Sequence, residues 1–250
     1  MDTDRIYRLI DRKPSLPIAD EQLEHAFWLM YPRFRFLKTL AADARLLDIG
    51  ASTGGLSFWR EWMPPVRKDI RMYGVDLAVG QHSKNYEAWD VVNLDDGRPN
   101  FPGVRFNGYL ASHLIEHLSN LDNLFSYIAE TAADGARIYF EWPNPKTMAF
   151  PKAADLKEKG FTLQTCNFFD DGTHQHTYEV DLVREKLSRY GFTMVEGGEI
   201  DLGIIAEELM ARGHKLDNMI WRQMGFWSAL GWSNYIIARK APSPSSSASA

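Results

Sequence analysis

A short stretch near residue 50, LDIGASTGG, joins an acid to a run of small residues. Asp48 lies inside an apolar run, and Gly50 and Gly54 flank Ser52 just after it. Glycine adopts positive φ angles without strain and lets the backbone come close to a small molecule. Glycine-rich turns between a strand and a helix also occur for packing alone. These residues therefore indicate either a tight turn or a binding surface.

A second acid ends the next apolar run, in the stretch MYGVDLA. Asp76 is placed there to accept hydrogen bonds from the two hydroxyls of a ribose. The same carboxylate could instead cap a helix. Because it follows the glycine-containing turn after Asp48, we interpret the pair as a crevice for a nucleoside at the ends of two neighbouring strands.

Asp48 also distinguishes two kinds of nucleoside cofactor. The dinucleotide fingerprint G-x-G-x-x-G would use Gly50, Ser52 and Gly55, and Ser52 departs from it. That fingerprint binds a pyrophosphate, which an adjacent carboxylate would repel. A ligand with an ammonium or sulfonium charge would instead be attracted. The acid therefore favours S-adenosylmethionine over a nicotinamide dinucleotide.

Histidines and acids occur together in two further stretches, SHLIEHL and FFDDGTHQHTYE. In the first, we predict that His113 borders the cofactor and that Glu116 and His117 brace a helix. In the second, His174 and His176 indicate a hydrogen-bonded loop, a general base or acceptor-orienting group, or a divalent-metal site. We predict His113, His174 and His176 as catalytic residues, and no metal ligands.

Apolar runs that alternate with helical patterns must position these residues. Strands are predicted at 45–50, 70–78, 86–95, 106–114, directly after residue 135 and at 233–240. Helices are predicted at 20–41, 121–132 and 179–192, the first of them divided at Pro32. A strand, a helix and a second strand within about 30 residues form a βαβ unit, which predicts a parallel sheet.

The order and spacing of these motifs resemble those of class I S-adenosylmethionine-dependent methyltransferases. The resemblance covers residues 45–145 and 170–192, and its motifs are LLDIGASTG, YGVDLA, VVNLDDGRPNFPG, YLASHLIEHLSNLDNLF, GARIYFEWPNP and DDGTHQHTYEVDLVREKLSRYGF. The stretch ASHLIEHL is typical of the large type-11 branch. The D-x-T-H-x-x-x-Y arrangement that begins at Asp171 is similar to that of methyltransferases found with bacterial surface-glycan enzymes.

The resemblance implies a fold and a set of roles. The fold is an α/β, Rossmann-like, doubly wound seven-stranded sheet, mostly parallel with an antiparallel last strand and with helices on both faces. The implied cofactor-binding residues are Asp48, Gly50, Ala51, Ser52, Gly54, Asp76, Leu77, Asn93, Leu94, Asp95 and Ser112. Asp76 would bind the ribose, and Leu77 would pack on adenine. Ser52 stands where glycine is commonest in the family.

We expect residues 1–240 to form a single methyltransferase domain. Within it, 1–44 is predicted as an N-terminal helical cap, 146–178 as a lid or substrate insertion, and 203–230 as a helical insertion. Residues 241–250 read APSPSSSASA, a low-complexity tail predicted to be disordered.

The helical insertion combines large apolar and charged residues. We predict that its apolar members pack in the core or a lid, with a membrane face or a dimer contact as alternatives; they are Trp221, Met224, Phe226 and Trp227. We predict that its charged members form a solvated face; they are Glu207, Glu208, Arg212, Lys215 and Arg222.

Composition limits the partners and the location. The 250 residues carry a formal net charge of −5 without a Lys/Arg cluster, which argues against nucleic acid. Cys166 is the only cysteine, and a reducing compartment is expected. The N-terminus is charged and has no signal-peptide pattern. With no apolar stretch near the roughly 18 residues that span a bilayer, we predict a cytoplasmic protein.

The sequence thus predicts transfer of a methyl group to a small-molecule or sugar acceptor, with a hydroxyl oxygen as the receiving atom. Two alternatives stay open. One is a catalytically inactive cofactor-binding or scaffold protein of the same fold, and the other is a nicotinamide-dependent oxidoreductase. We expect a monomer or homodimer that does not bind nucleic acid, and contact with a membrane surface stays an open alternative.

Overall fold

The computed structural model describes residues 3–242 and is built around one seven-stranded sheet. The strands are β1 (Arg45–Ile49), β2 (Arg71–Asp76), β3 (Ala88–Val91), β4 (Phe106–Ser112), β5 (Ala132–Pro143), β6 (Phe192–Glu199) and β7 (Ser233–Lys240). Their order across the sheet is β3-β2-β1-β4-β5-β7-β6.

Strands β1 to β5 pair in parallel, and β7 lies antiparallel between β5 and β6. The expected mostly parallel sheet with an antiparallel last strand is therefore confirmed. The residue pattern alone did not predict β6. Its sequence FTMVEGGE is mostly polar, and its burial is only partial.

Eight helices occur among the described residues. They are α1 (Thr3–Ile10), α2 (Asp20–Met30), α3 (Pro32–Lys38), α4 (Leu121–Thr131), α5 (Ala153–Glu158), α6 (Val180–Arg189), α7 (Gly203–Lys215) and α8 (Met219–Leu230). The turn after β1 continues into a short 3₁₀ helix, Gly55–Arg60, rather than an α-helix.

Alternate side chains of the strands point to opposite faces of the sheet, and two hydrophobic clusters form there. Leu46 belongs to the cluster that includes residues of α1, α2, α3, α7 and α8. Its neighbour Leu47 belongs to the cluster that includes residues of α4 and α6. Helices thus cover both faces, as expected for a doubly wound sheet.

The break at Pro32 is confirmed and has a clear physical cause. Tyr31 is extended, with φ −69° and ψ 123°, and Pro32 begins α3 at the position where a missing backbone N–H costs nothing. The new helix direction brings Arg33 to the carboxyl end of β4, where it donates to Ser112 Oγ at 2.6 Å.

The helical insertion packs its apolar residues inward, as predicted. Phe226 is fully buried, and the rings of Trp227 and Trp232 stack with centroids 4.3 Å apart. The prediction of a solvated charged face was wrong for Glu208, Arg212 and Arg222, which are all buried.

Arg212 is buried because the N-terminal segment surrounds it with acceptors. It donates to Glu208 Oε1 at 2.9 Å and to Asp20 Oδ1 at 2.6 Å. It also donates to the backbone carbonyls of Leu16 and Ile18. A buried charge is tolerated when it is paired in this way. Asp20 and the two carbonyls lie almost 200 positions earlier in the chain, so helical spacing could not predict them.

Residues 146–178 are mainly irregular, with α5 and two short 3₁₀ segments among them. The carboxylate of Asp170 organises this region by accepting from the backbone N–H groups of Ala153, Cys166 and Asn167. Of the predicted tail, residues 243–250 lie outside the described residues. Within residues 3–242, none of the helices has the length and hydropathy needed to cross a bilayer.

Candidate cofactor crevice

The turn after β1 has the left-handed backbone that its residues predict. Gly50, Ser52 and Gly54 have φ angles of 71°, 50° and 81°. A Cβ added to Gly50 would lie 3.1 Å from Leu114 Cδ1, so glycine is also favoured by close packing. The N–H groups of Gly50 and Ala51 both donate to Val75 O. These two N–H groups therefore hold β1 to β2 and do not point to a ligand.

Two cavities meet at Gly50. The larger, about 400 Å³, is lined by six of the predicted cofactor residues, namely Gly50, Asp76, Leu77, Asn93, Leu94 and Asp95. The smaller, about 350 Å³, is lined by Asp48, Gly50, Ala51, Ser52 and Ser112. The structure thus brings together ten of the eleven predicted residues along one crevice.

Gly54 is the eleventh predicted residue, and it lines neither cavity. It precedes the short 3₁₀ helix with a φ of 81°, and a Cβ there would lie 3.1 Å from Tyr86 Cε2. Its N–H donates to Ala51 O at 2.8 Å. Gly54 therefore shapes the turn and packs against Tyr86.

Asp76 is fixed by the loop that follows β1. Its Oδ2 accepts from the Ser52 N–H and its Oδ1 from the Leu77 N–H, both at 2.7 Å. Leu77 is 70% exposed at the wall of the larger cavity. Further along this wall, Asp95 Oδ1 accepts from the Ser119 N–H at 2.8 Å. A fixed carboxylate beside an exposed apolar side chain suits a ribose that carries a base.

Asp48 is a buried carboxyl at the wall of the smaller cavity. Burial raises its pKa to about 7, although the hydrogen bond from Tyr86 and the charge of Arg33 both lower it. The Tyr86 hydroxyl donates to Asp48 Oδ2 at 2.7 Å. A bound cation would favour the ionised form of such a carboxyl.

Arg33 is a charged residue of this crevice that the sequence did not predict. It lines the smaller cavity together with Asp48. Its guanidinium lies 5.0 Å from the centre of the Trp59 ring, and its Nε is buried without a hydrogen-bond partner in the described part of the chain. Glu141 Oε2 is 3.7 Å from that Nε. The one sequence signal that could have indicated Arg33 is its position directly after Pro32, where the helix was predicted to break.

His113 lies between two buried carboxylates and lines neither cavity. Its Nε2 is 3.1 Å from Glu141 Oε1, and its Nδ1 is 3.4 Å from Glu116 Oε1. Burial alone would lower its pKa, but the contacts with Glu116 and Glu141 outweigh burial and raise it to about 9. A protonated imidazole cannot accept a proton, so this geometry supports a positioning role.

The two loop histidines have different surroundings. His174 has a side chain that is only 5% exposed, and its ring lies 4.9 Å from that of His117. His176 is exposed, with its ring 6.1 Å from Tyr178. The loop is tied to the segment after β4, because the N–H groups of Gln175 and His176 both donate to Glu116 O.

The sheet order, the glycine turn after β1 and the acid at the end of β2 define a nucleotide-cofactor-binding α/β protein of the Rossmann-like type. Residues 24–196 match the family model described as a methyltransferase domain. Because the match covers well over half of the chain, the protein belongs to this methyltransferase family. A search of curated proteins finds no significant match.

Solved structures share the fold at low sequence identity. An S-adenosylmethionine-dependent methyltransferase from Mesorhizobium loti has a TM-score of 0.57 and 17% identity, over 87% of this chain and 100% of that one. A Haloferax volcanii complex of the Trm112 activator with a methyltransferase described as putative has a TM-score of 0.54 and 12% identity, over 89% and 95%.

A phosphoethanolamine N-methyltransferase from Haemonchus contortus has been solved with phosphomonomethylethanolamine and S-adenosylhomocysteine. It has a TM-score of 0.52 and 16% identity, over 95% of this chain and 56% of that one. The family match and this fold support S-adenosylmethionine as the cofactor. The residues of the crevice fit it, since Arg33 and the buried Asp48 line one cavity and suit the carboxylate and the ammonium group of an amino acid.

Proposed function

We propose that the protein transfers a methyl group from S-adenosylmethionine to the hydroxyl oxygen of a small-molecule or sugar acceptor. The observation that supports this most is the pairing of Asp48 and Arg33 in one cavity, with Asp76 and Leu77 in the cavity that adjoins it at Gly50. Opposite charges therefore lie at one end of the crevice, and the carboxylate of Asp76, which could accept hydrogen bonds from a ribose, lies at the other.

Each end of the crevice suits one part of the proposed cofactor. Asp48 would pair with the ammonium group, and Arg33 with the carboxylate of the same amino-acid part. Asp76 would accept from the ribose hydroxyls, and Leu77 would cover one face of the adenine. A pyrophosphate has no cationic group for Asp48 to bind, so this set also disfavours a nicotinamide dinucleotide.

When bound, S-adenosylmethionine supplies an electrophilic methyl carbon on a sulfonium. The protein would then act mainly by positioning the acceptor in line with that carbon. Ser112 lies at the wall of the smaller cavity, where it accepts a hydrogen bond from Arg33. Of the three predicted catalytic histidines, His174 is the strongest candidate for a role at the acceptor, because it stands between Thr173 and Gln175, which line the larger cavity, and its ring lies 4.9 Å from that of His117.

The class of acceptor is proposed from the polar side chains at the wall of the larger cavity. Thr173, Gln175 and His117 line the larger cavity and present hydroxyl, amide and imidazole groups. Such groups suit a polyhydroxylated acceptor better than an apolar one. The loop motif that resembles glycan-associated methyltransferases favours a sugar in the same way.

Binding of S-adenosylhomocysteine and of methylthioadenosine tests this proposal, because the second compound lacks the amino-acid part. By calorimetry, Asp48→Asn and Arg33→Gln should each weaken S-adenosylhomocysteine binding about 10- to 100-fold, the effect of losing one charged contact. Both variants should bind methylthioadenosine like wild type. Asp76→Ala should weaken binding of both compounds.

Two outcomes would overturn the proposal. If wild type binds neither S-adenosylmethionine nor S-adenosylhomocysteine at millimolar concentration, the protein is a scaffold of the same fold. If NADH binds more tightly than either compound in a fluorescence titration, the oxidoreductase alternative replaces methyl transfer. Asp11→Asn, which changes an exposed acid remote from both cavities, is the matched control and should bind as wild type.

We further propose a cytoplasmic location, as a monomer or homodimer that does not bind nucleic acid. The support is the net charge of −5 and the single cysteine, Cys166, which is buried and free. Burial also raises the pKa of the Cys166 thiol above its usual range. Size-exclusion chromatography with light scattering measures the oligomeric state directly.

A further inference from the structure

Three potential metal ligands meet where the loop after residue 170 packs on the end of β4. Glu116, His117 and His174 each offer a ligand atom, and these atoms all lie within 4.8 Å of one another. His117 Nε2 and His174 Nε2 are each 4.0 Å from Glu116 Oε1. Around a bound zinc such donors are about 3 to 3.5 Å apart, so small side-chain rotations would suffice.

Each of the two histidines has a backbone carbonyl beside its Nδ1. His117 Nδ1 lies 3.2 Å from Thr173 O, and His174 Nδ1 lies 2.7 Å from Phe168 O. Because a carbonyl only accepts, each contact needs the proton on Nδ1, and the neutral tautomer that has its proton there offers the Nε2 lone pair to a metal ion. Metal-bound histidines in proteins are oriented by the same kind of contact from a backbone carbonyl.

The buried carboxylate of Glu116 also indicates a bound ligand. Its side chain is fully buried, yet neither carboxylate oxygen has a hydrogen-bond partner within residues 3–242. Buried carboxylates are almost always satisfied by hydrogen bonds, partners of opposite charge or a metal. His113 Nδ1 makes an ion-pair contact with Oε1 at 3.4 Å and so balances part of the Glu116 charge, while Oε2 has no hydrogen-bond partner among the described residues and can bind a further group.

We propose that Glu116, His117 and His174 bind a divalent transition-metal ion of the Zn²⁺ type. Two imidazoles and one carboxylate select such an ion over Mg²⁺, which prefers oxygen ligands and keeps most of its waters. From the sequence alone, a metal site at His174 and His176 is not favoured, because no third ligand is evident there. The structure supplies Glu116 and His117 as partners of His174, while His176 is exposed.

The ion would lie beside the cofactor crevice. His117 lines the larger cavity together with Thr173 and Gln175. Three protein ligands leave at least one coordination position open, and here that position would take an oxygen of the acceptor. The ion would lower the pKa of that hydroxyl. This second role depends on the proposed methyl transfer, whereas binding of the ion does not.

Zinc binding to the full chain tests the site. After dialysis against a chelator, calorimetry with ZnCl₂ should give one site per chain. Glu116→Gln, His117→Ala and His174→Ala should each weaken it by about 100-fold, the scale on which ligand and supporting contacts act. MgCl₂ should bind at least about 100-fold more weakly than ZnCl₂. His176→Ala removes an exposed histidine from the same loop and should bind as wild type.

Co²⁺ substitution provides a second measurement, since ligands in this arrangement should give visible absorption bands that the three variants lose. Circular dichroism checks that each variant is folded. Should Glu116→Gln not fold, His117→Ala carries the test, because His117 is partly exposed. Absence of stoichiometric Zn²⁺ binding by folded wild type, or equal affinity in wild type and His117→Ala, would overturn the site.

Failure of the metal site and failure of the proposed function give different results. A wild-type protein that binds S-adenosylhomocysteine but not Zn²⁺ contradicts only the metal site. One that binds Zn²⁺ but not S-adenosylhomocysteine contradicts methyl transfer and leaves the ion site in place.

Discussion

The buried Asp48 lowers the stability of the folded protein when no ligand is bound. Its pKa in the folded chain is raised to about 7 by burial, against an ordinary value near 3.8. At pH values below the pKa that Asp48 has in the unfolded chain, the carboxyl is neutral in both states. Its contribution to folding stability is then fully present. Between about pH 4 and pH 7 that contribution is lost, since only the unfolded chain ionises there. A bound ammonium group would offset this cost.

The first prediction concerns stability. Without ligand at pH 8, Asp48→Asn should raise the free energy of unfolding by about 2 kcal/mol, because each pKa unit is worth about 1.4 kcal/mol and the buried amide keeps part of the desolvation cost. The gain should shrink as the pH falls to about 4. Urea unfolding at several pH values measures it. Equal stability of the variant and wild type at pH 8 would contradict the raised pKa of Asp48.

The second prediction concerns ligand affinity and has the opposite sign. An ionised Asp48 attracts the ammonium group of S-adenosylhomocysteine, and its ionised fraction falls about tenfold between pH 8 and pH 6 for a pKa of about 7. Affinity should therefore fall by roughly tenfold over that interval. In Asp48→Asn the affinity should be lower at both pH values and nearly constant. Calorimetry at both pH values checks this, with methylthioadenosine as the compound that should show no such change.

At the residue scale, the sequence predicted what local order determines. Asp48 and Asp76 could be placed because each lies at or near the end of an apolar run, and parallel strands bring such ends to one edge of the sheet. The position of Arg33 could not be predicted, because it depends on how α3 packs after the break at Pro32. The same holds for Glu116, which was predicted to brace a helix. Its contact with His174 joins segments 58 positions apart.

The close approach of α7 and α8 depends on two glycines. A Cβ at Gly225 would lie 2.4 Å from Met210 N and 2.7 Å from Ala206 O. A Cβ at Gly213 would lie 2.3 Å from Arg222 N. At both places the neighbouring atoms are backbone, which cannot rotate away as a side chain can. The two helices therefore need glycine in order to touch.

The third prediction is that Gly225→Ala destabilises the protein by about 2 kcal/mol, because overpacking costs more than the roughly 1 kcal/mol that alanine gains within a helix. Gly172→Ala is the control, since a Cβ added there would meet no atom of the described residues within 4 Å and its φ is not positive. It should change stability by less than about 0.5 kcal/mol. Thermal unfolding of both variants decides, and an unchanged melting temperature in Gly225→Ala would contradict the close helix contact.

At the element scale, periodicity predicted which apolar residues face inward but not which charges do. Glu208 and Arg212 are spaced like an exposed i, i+4 pair, so a solvated face was expected. Both are buried because the segment around Asp20 covers them. The periodicity of a helix predicts which of its own residues form the apolar face. It does not predict whether a segment distant in the chain will cover its charged residues and pair with them.

The order of the sheet is a property of the whole chain. Local patterns predicted most strands, while the resemblance to a known family supplied their number and the direction of the last one. β7 pairs with β5 through residues 137–143 and with β6 through 192–199, so it joins the sixth strand to the rest of the sheet. Ile236 and Ile237 of β7 contribute to the two clusters on opposite faces.

The fourth prediction follows from this position of β7. A chain that ends after residue 230 should lose cooperative unfolding, because β5 and β6 would each lose a line of backbone hydrogen bonds and both cores would lose an isoleucine. A chain that ends after residue 242 keeps every described residue and is the matched control. Its melting temperature should equal that of the full chain, since the low-complexity composition of the last eight residues predicts no packing. Circular dichroism during heating measures both. A sharp transition in the shorter chain would mean that β1 to β5 fold without β7, and the sheet would then be two cooperative units rather than one.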